Sequence, residues 1–575
     1  MLKKLLRLLS KSNIYLIAII FIGTLTWSLT MVKSGILRDY GVGFWGPNGH
    51  DGIWHIAVIE SLARGSWGMP VFAGDTFRNY HVGFDLITAI IHKLTFIPVP
   101  VLYFQILPVV LALLIGFYCY KFVSLWTGSP KSAFWSTFFV YFGGSFGWLA
   151  NLIRYGNFDG ESLFWSAQSI STLVNPPFAL SILIIFVALI YLTEGKKEND
   201  KKKLMIATFL FGVLIQVKVY AGLLILGSLF CSSIWEVFKK QNFTLLKIFT
   251  GALIISILVF FPLNTTASSQ IIWQPFWFLE NMMALTDRLG WLKFHSAMTT
   301  YRFGHIYLKA IVAYSAAFAI FVIGNFGTRF ISLIWFIKKI VKYKEVNFVE
   351  LLFGSMVIAG VIIPMFVVQS GSPWNTIQFI YYSLIFSGVL SGIVIGEWLN
   401  SKKSVVASIV ASLIILITIP TSIATLTHHY LPIRPPAKIS KEELEALKFL
   451  AKQTDGFVLT YPFDINKAKE AAINPPRPLY LYDSTAYVSA YSKKDIYLED
   501  EVNLDITGYD WKTRRDEELY FYDSLDHGFV REFLLSNDIN YVYWLKGQRA
   551  RLGESQLGLN MIFENEYVTI YKVQK

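Results

Sequence analysis

Long apolar runs constrain the fold of this chain more than any other feature. A bilayer core requires roughly 20 apolar residues for each helical span, and several runs reach that length with few charges. A hydrophobic fraction of 54% over 575 residues is typical of a membrane protein,. We predict about eleven spans, counting the run 204–236 as a hairpin of two short helices. The runs cover residues 14–32, 101–120, 132–152, 176–193, 204–236 (the hairpin), 245–262, 305–337, 348–368, 376–398 and 404–426.

Basic residues predict the orientation, because short loops rich in Lys and Arg stay in the cytoplasm. Counting spans between the basic clusters puts every cluster on one side, and this accounts for the net charge of +12 without a nucleic-acid partner. We therefore expect a multi-pass plasma-membrane protein with a cytoplasmic amino terminus. Outer segments are then 33–100, 153–175, 263–303, 369–375 and the carboxyl-terminal tail. The basic clusters contain Lys3, Lys4, Arg7, Lys11; Lys196, Lys197, Lys201, Lys202, Lys203; Lys239, Lys240; Lys338, Lys339, Lys342, Lys344; Lys402 and Lys403.

Two further features bear on processing and redox chemistry. The first run follows a basic start but lacks a convincing small-residue cleavage site, so we expect a retained anchor rather than a signal peptide. Cys119 and Cys231 fall in predicted spans, which leaves no disulfide framework and no zinc site,.

The composition changes after residue 426, and a polar, proline-rich linker follows. The sequence predicts a membrane domain over 1–430 and a small extracytoplasmic α/β domain over 437–575. Ser440 and Glu443 form a capping-box pattern ahead of a helix. Apolar, β-branched runs predict strands, and the intervening segments predict helices. The predicted strands are Phe457–Tyr461, Tyr541–Leu545 and Tyr567–Val573, and the predicted helices lie near 514–525 and 527–536.

The densest polar constellation is Gly46–His55, just outside the first span. Its glycines and proline predict a turn, and residues 53–64 predict a helix that is apolar nearly all round and therefore buried at the membrane interface. Asp51 and His55 are four residues apart, so they share a face of this helix. Asp51 is the first candidate for a catalytic carboxylate, and its alternative role is a helix cap.

Other polar residues of the first loop are weaker candidates. Glu60 is four residues before Arg64, so an ordinary helix ion pair competes with a catalytic role for Glu60. A second polar patch precedes a predicted interfacial helix over 84–96. The histidines of the loop, with Asp51, are also compatible with a divalent cation, although no defined ligand spacing identifies a metal. The loop's substrate-binding candidates are His50, Arg78, Tyr80 and His81.

This pattern resembles the GT-C superfamily of membrane glycosyltransferases, which take sugars from polyprenyl-phosphate carriers. Members carry an acidic residue in the first extracytoplasmic loop, two interfacial helices there, many spans and often a soluble outer tail. By position, Asp51 matches the acidic residue, 53–64 and 84–96 match the helices, and 437–575 matches the tail. The paired Asp-Glu of protein mannosyltransferases and the Trp-Trp-Asp signature of oligosaccharyltransferases are absent, so transfer to protein is not supported.

A lipid-phosphate donor needs a base for the acceptor hydroxyl and a cation for the leaving phosphate. Asp51 would be the base, with His55 orienting it. Lys218 lies between two short apolar stretches, where an intramembrane cation indicates function and snorkelling toward headgroups is the alternative. Further candidates for contacts with sugar or phosphate are Tyr220, Arg302, His305, Trp374, Asn375 and Gln378.

The sequence thus favours an inverting glycosyltransferase that moves a sugar from a polyprenyl-phosphate donor to an extracytoplasmic glycan or lipid. One alternative is a transporter or lipid flippase, which should show repeated halves with interrupted helices. The other is a non-catalytic membrane scaffold, in which Asp51 is a cap and Lys218 snorkels.

Overall fold

A computed structural model describes residues 11–264, 271–343 and 346–574, so Lys3, Lys4, Arg7 and Lys344 lie outside the described residues. The chain divides into two compact units. The first contains residues 1–30, 108–262 and 271–431, and the second contains residues 31–107, 263–270 and 432–575. This division differs from the sequence-based boundary at 430, because the first loop groups with the tail.

Eight helices of the described residues are long and apolar enough to cross a membrane, against the eleven spans expected. The other three predicted spans are shorter helices: Lys11–Ser28, Pro130–Phe142 and Lys201–Val217. The chain is a polytopic α-helical membrane protein. The eight helices are Val99–Thr127, Pro176–Glu198, Val219–Lys240, Thr244–Leu263, Tyr307–Val341, Phe348–Met365, Pro373–Asn400 and Val405–Tyr430.

The hairpin predicted over 204–236 is confirmed, because helix Lys201–Val217 ends and helix Val219–Lys240 begins on either side of one residue. That residue is Lys218, whose backbone is extended with φ −157° and ψ 117°. Shorter helices of the first unit are Gly147–Tyr155, Trp277–Ala284, Leu292–Phe303 and Pro420–Thr425, and its strands are Ile271–Trp273 and Val367–Gln369, which pair antiparallel.

Small residues bring the core helices of the first unit close together. A Cβ atom on Gly392 or Gly396 would collide with the backbone of Ser136 or Ser132 on the facing helix. The Ser136 hydroxyl donates a hydrogen bond to the Val389 carbonyl oxygen at 2.8 Å. Helices in lipid associate through this close packing of small residues and interhelical hydrogen bonds, since apolar burial alone gives no preference for a neighbouring helix over lipid.

The second unit combines helices with two sheets. The larger sheet has the strand order 559–564, 568–573, 539–545, 457–459, 495–496, with the first two pairings antiparallel and the last two parallel. The other has the order 37–38, 41–44, 437–439, 477–478. Gly41–Phe44 of the first loop pairs antiparallel with Ala437–Ile439 of the tail, and this pairing joins loop and tail in one unit.

The predicted tail elements are confirmed. Ser440 and Glu443 form the expected capping box at the start of helix Lys441–Ala451. The predicted strands are Phe457–Leu459, Ile539–Leu545 and Val568–Val573, and a further strand, Leu559–Glu564, was not predicted. The unit's helices are Asp51–Ala63, Gly83–Thr95, Lys441–Ala451, Ile465–Ala471, Tyr487–Ser492, Glu501–Thr507, Trp511–Asp523 and His527–Ser536.

Candidate functional site

The first candidate centre lies at the start of helix Asp51–Ala63, in the second unit. Turn Gly46–Gly49 leads into the helix, and Asn48 holds this turn by donating to the Ser34 hydroxyl oxygen at 3.0 Å. Tyr482 of the tail donates to the Gly46 carbonyl oxygen at 2.9 Å. The turn is therefore fixed from both the loop and the tail.

Asp51 is the first residue of this helix, and its N-cap is His50. The cap interpretation of Asp51 therefore does not describe its position. Every later residue of the helix is buried, whereas 45% of the Asp51 side chain is exposed. A carboxylate in the first turn is stabilised by the positive end of the helix dipole. The result is an accessible carboxylate on an otherwise buried helix.

His50 orients the Asp51 carboxylate. Its Nδ1 lies 2.9 Å from Asp51 Oδ1, and its Nε2 lies 3.4 Å from Oδ1 of the buried Asp500 in the tail. Burial lowers the pKa of His50, but the two carboxylates outweigh burial and leave this pKa well above its ordinary value. The two carboxylates thus favour the protonated form of His50. Asp500 was not a sequence candidate, and no local pattern identifies it.

His55 was expected to orient Asp51, and the structure gives it another partner. His55 Nδ1 lies 2.8 Å from Asp85 Oδ1, and the Tyr80 hydroxyl donates to Asp85 Oδ2 at 3.1 Å. The His55 ring also stacks on Tyr103 at 5.6 Å between centroids. All of these side chains are buried. The group anchors helix Gly83–Thr95 to helix Asp51–Ala63.

The expected ion pair between Glu60 and Arg64 is wrong. Glu60 Oε2 lies 3.1 Å from Lys493 Nζ, and Arg64 Nη2 lies 2.8 Å from Asp495 Oδ1. Both partners belong to the tail, which packs against this face of the helix. Glu60 is thus a buried carboxylate with a tail cation.

The second polar patch of the loop also packs against the tail. The Arg78 guanidinium lies over the Tyr509 ring at 4.1 Å and within 3.5 Å of Asp75. The His81 ring contacts Tyr80 with 4.9 Å between centroids. Arg78 therefore already has an aromatic and an acidic neighbour inside this unit.

Lys218 is the centre of the second candidate group, in the first unit. It is buried, with 4% of its surface exposed, and its Nζ lies 5.5 Å from the centroid of the Tyr220 ring. The Tyr220 hydroxyl donates to Gln369 Oε1 at 3.2 Å. Lys218 is therefore a buried basic residue at a break between two helices.

Two predicted phosphate contacts have other partners. Arg302 Nη1 lies 2.6 Å from Glu280 Oε1, and the Tyr314 hydroxyl also donates to Glu280. His305 is exposed and its Nδ1 lies 3.0 Å from the Tyr307 hydroxyl. The positive charge of Arg302 is therefore balanced within the protein.

Arg288, which the sequence analysis missed, lies between two tryptophans. Its guanidinium lies 4.5 Å from the Trp165 ring and 4.7 Å from the Trp374 ring. It is buried, and its Nε has no hydrogen-bond partner among the described residues. Trp165 has φ 77°, a left-handed conformation that is uncommon for a bulky residue,. The available sequence signal for Arg288 was an arginine within an aromatic-rich segment.

The remaining sugar candidates are next to this group. Gln378 Nε2 donates to Asn375 Oδ1 at 3.3 Å, and Trp374 contacts Trp165 at 5.2 Å between centroids. A cavity of the first unit is lined by both polar and apolar side chains, among them Tyr381 of helix Pro373–Asn400. Its lining includes Gln168, Ser169, Ser171, Thr172 and Asn175.

A cluster of ionisable residues in the first unit was also missed. Asp159 lies 3.8 Å from His428 and 3.5 Å from His429. Within residues 11–264, 271–343 and 346–574, no group of three or more His, Cys, Asp or Glu side chains is arranged to hold a metal ion. The divalent-cation set considered for the first loop is likewise not assembled, since His55 Nδ1 faces Asp85.

No protein-family model and no curated protein sequence matches the chain. Among solved structures, the chain is similar to the oligosaccharyltransferase of Archaeoglobus fulgidus tethered with an acceptor peptide containing the NVT sequon. The TM-score is 0.53 at 13% identity, over 94% of this chain and 70% of that one. ArnT from Cupriavidus metallidurans, bound to undecaprenyl phosphate, aligns over 98% of both chains at 10% identity, but its TM-score of 0.47 carries no argument.

At such low identity the likeness to the oligosaccharyltransferase shows the fold alone. This chain shares the polytopic fold of that oligosaccharyltransferase. It is a multi-pass membrane protein.

Proposed function

We propose that this protein is an inverting glycosyltransferase that moves a sugar from a polyprenyl-phosphate donor to an extracytoplasmic glycan or lipid acceptor. The observation that carries the proposal is the Asp51 carboxylate, half exposed at the start of a buried helix and oriented by His50. A positioned carboxylate with this accessibility is suited to general-base catalysis. Its place in the first loop of a GT-C fold supports the same role.

The reaction is a single displacement. The acceptor hydroxyl gives its proton to Asp51 as its oxygen forms a bond to the anomeric carbon of the donor. The bond between that carbon and the phosphate oxygen breaks, and the phosphate leaves with the bonding electrons. Attack on the face opposite the leaving group inverts the anomeric centre. A fixed cation that meets the charge developing on the phosphate lowers the barrier.

Lys218 and Arg288 are the cations we assign to the donor phosphate. Both are buried in the same unit, and the segment 369–378 lies close to both. Gln369 accepts a hydrogen bond from Tyr220, the neighbour of Lys218, and Trp374 contacts Arg288 directly. Arg302 is less suited, because Glu280 lies 2.6 Å from it and is mostly buried, whereas Asp287 lies 3.4 Å from Arg288 and is largely exposed. Trp374, Asn375 and Gln378 offer an aromatic face and amides to the sugar.

The proposed topology has a cytoplasmic amino terminus, with the first loop and the tail outside the cell. It rests on the sidedness of the lysine clusters. The donor and the acceptor would then meet at the outer membrane surface.

The test compares transfer of labelled sugar from a polyprenyl-phosphate donor by the purified full-length protein and by Asp51→Asn. We expect loss of transfer by roughly 10² to 10⁴-fold, because the amide is isosteric but not basic. Thermal stability should stay close to that of the parent, since Asp51 is half exposed. Asp39→Asn is a matched control, because Asp39 lies in the same loop with an exposed side chain.

Transfer at the parent rate by Asp51→Asn would show that Asp51 is not the base. Mass spectrometry of lipid-linked sugars in cells with and without the protein addresses the class of activity. Accumulated donor together with a missing sugar residue supports transfer. An intermediate that accumulates on the cytoplasmic leaflet would instead favour a flippase and contradict the proposal.

A further inference from the structure

Asp500 is a buried carboxylate of the tail held in an unusual backbone conformation. Its side chain is fully buried and its φ is 51°, in the left-handed region that non-glycine residues seldom adopt,. Asn503 supplies a backbone N–H at 3.1 Å to Oδ1, and its side-chain amide lies 2.9 Å from Oδ2. Asp500 thereby caps helix Glu501–Thr507. The cap explains Asn503 but not the approach of Asp500 to the first loop.

His50 lies between Asp500 and Asp51, and each of its ring nitrogens faces a carboxylate. Nδ1 is 2.9 Å from Asp51 Oδ1 and Nε2 is 3.4 Å from Asp500 Oδ1. The Nδ1 contact is a hydrogen bond, whereas Nε2 makes none among the described residues and approaches Asp500 at ion-pair distance only. A carboxylate on each side of the ring favours its charged form, and the His50 side chain is 12% exposed.

Neighbouring charges leave Asp500 as the dominant anion behind His50. Burial raises the pKa of Glu499 to about 8, so that side chain is largely neutral at pH 7. Glu501 forms an ion pair with Arg515. Tyr482 is another titratable group near Asp51, and burial raises its pKa above its ordinary value.

We propose that Asp500 is a positioning residue for catalysis, which holds His50 as an imidazolium so that His50 fixes the Asp51 carboxylate toward the acceptor. This inference rests on the proposed function. A fixed adjacent cation also favours the ionised form of Asp51, the form that accepts a proton. The tail thus takes part in the chemistry of the first loop through one histidine.

The pH dependence follows from the sign of the His50 shift. A histidine whose pKa is raised keeps its charge, and the contacts that depend on it, until the pH rises through that raised value. Removing the Asp500 charge lowers the pKa of His50, because an opposite charge at this distance shifts a pKa by about 1–3 units. The variant should then lose the imidazolium at a lower pH than the parent.

The experiment measures kcat/KM against pH for the full-length parent, Asp500→Asn, His50→Gln and the double variant, with a polyprenyl-phosphate sugar donor. Asp500→Asn keeps the size and the capping oxygen. We expect its alkaline limb to move toward acid by about one pH unit or more. In the His50→Gln background, Asp500→Asn should have no further effect. Asp510→Asn, which alters the cap of helix Trp511–Asp523 without a histidine contact, should keep the parent profile.

An unchanged profile for Asp500→Asn, or an equal loss with and without His50, would reduce Asp500 to a cap and overturn the inference. Absence of transfer by the parent would instead refute the proposed function. If Asp500→Asn does not fold, NMR titration of the parent protein with labelled histidine gives the charge state of the His50 ring. The His50 signal is assigned as the one missing from the spectrum of His50→Gln. A His50 ring that is neutral at pH 7 contradicts the inference, and a charged ring supports it.

Discussion

Asp85 satisfies two buried polar side chains of the first loop at once, His55 and Tyr80. Asp85→Ala leaves both without this carboxylate in a site that water does not reach. We expect a loss of unfolding free energy of about 3–5 kcal/mol, the usual cost of removing one partner of a buried pair. The measurement is the thermal midpoint of the purified protein in detergent. Asp75→Ala is the control: its partner Arg78 is 40% exposed, and it should cost under about 1 kcal/mol,.

The assignment of Lys218 and Arg288 to the donor phosphate is tested by substituting each residue. Lys218→Gln and Arg288→Gln each remove a buried cation, and we expect the KM for the lipid donor to rise by about tenfold or more, since a charge-assisted hydrogen bond is worth about 1.5–3 kcal/mol. Lys218→Arg should retain part of the affinity. Arg302→Gln serves as the matched control, because its charge is already balanced by Glu280. Unchanged donor affinity in both Gln variants would leave the two cations with structural roles.

The sequence identified candidate residues by their type, but it did not identify the side chains that they contact. Asp51 and Lys218 were predictable, because each is a charge in an apolar context. Asp500, Lys493 and Asp495 were not, because they are more than 400 residues from the side chains they contact, and no local period encodes such a pairing. The His55 prediction failed for the same reason: helical spacing gives the face of a residue, while Asp85 on another helix provides the contact.

Helix Asp51–Ala63 is held to the tail by two ion pairs, Glu60 with Lys493 and Arg64 with Asp495. Lys493→Met keeps the side-chain stem but leaves the buried Glu60 carboxylate unpaired. We expect a loss of about 1–3 kcal/mol, the cost of a buried group without its partner.

Glu60→Gln in the Lys493→Met background should recover part of that stability, which a double-mutant cycle by thermal denaturation detects. Lys546→Met is the control, because the pair of Lys546 and Glu564 is exposed to solvent and should contribute little to stability,. Strict additivity of the Glu60 and Lys493 substitutions would show that the two residues do not interact.

Helices and strands were predicted from the sequence more accurately than the contacts between side chains. The break at Lys218, the two loop helices and the tail helices follow local patterns of apolar residues and caps, and all appear in the structure. Within the described residues, eight of the eleven predicted spans are helices long and apolar enough to cross a membrane, and the other three are shorter helices. The run 132–152, for example, breaks at Gly143, after the helix Pro130–Phe142.

For the whole molecule, the proposed topology puts the tail outside and the loop after helix Val219–Lys240 inside. The test uses a chain in which both native cysteines are replaced, by Cys119→Ser and Cys231→Ser. A single thiol is then placed at an exposed position, by Ser555→Cys in one variant and by Lys240→Cys in another. We expect an impermeant thiol reagent to label Ser555→Cys in intact cells and Lys240→Cys only after the membrane is opened. The reverse pattern would invert every assignment of inner and outer loops.

Composition alone was enough to predict a membrane protein, and the first loop with its helices was enough to suggest the GT-C fold. The grouping of that loop with the tail was not predictable. Strand Gly41–Phe44 is too short and too rich in glycine to be recognised from its sequence, and its partner Ala437–Ile439 lies at the far end of the chain.

That strand pairing has a consequence for biogenesis. Phe44 and Ala437 are paired residues, so roughly 390 residues must be synthesised after the loop before its sheet partner exists. At about 5–20 residues per second, translation leaves the loop waiting for on the order of 20–80 s. During that time an unpaired β edge is open to non-native association. The nascent loop is therefore a natural client for a chaperone, and the contacts around Asp51 can form only after the tail has been synthesised.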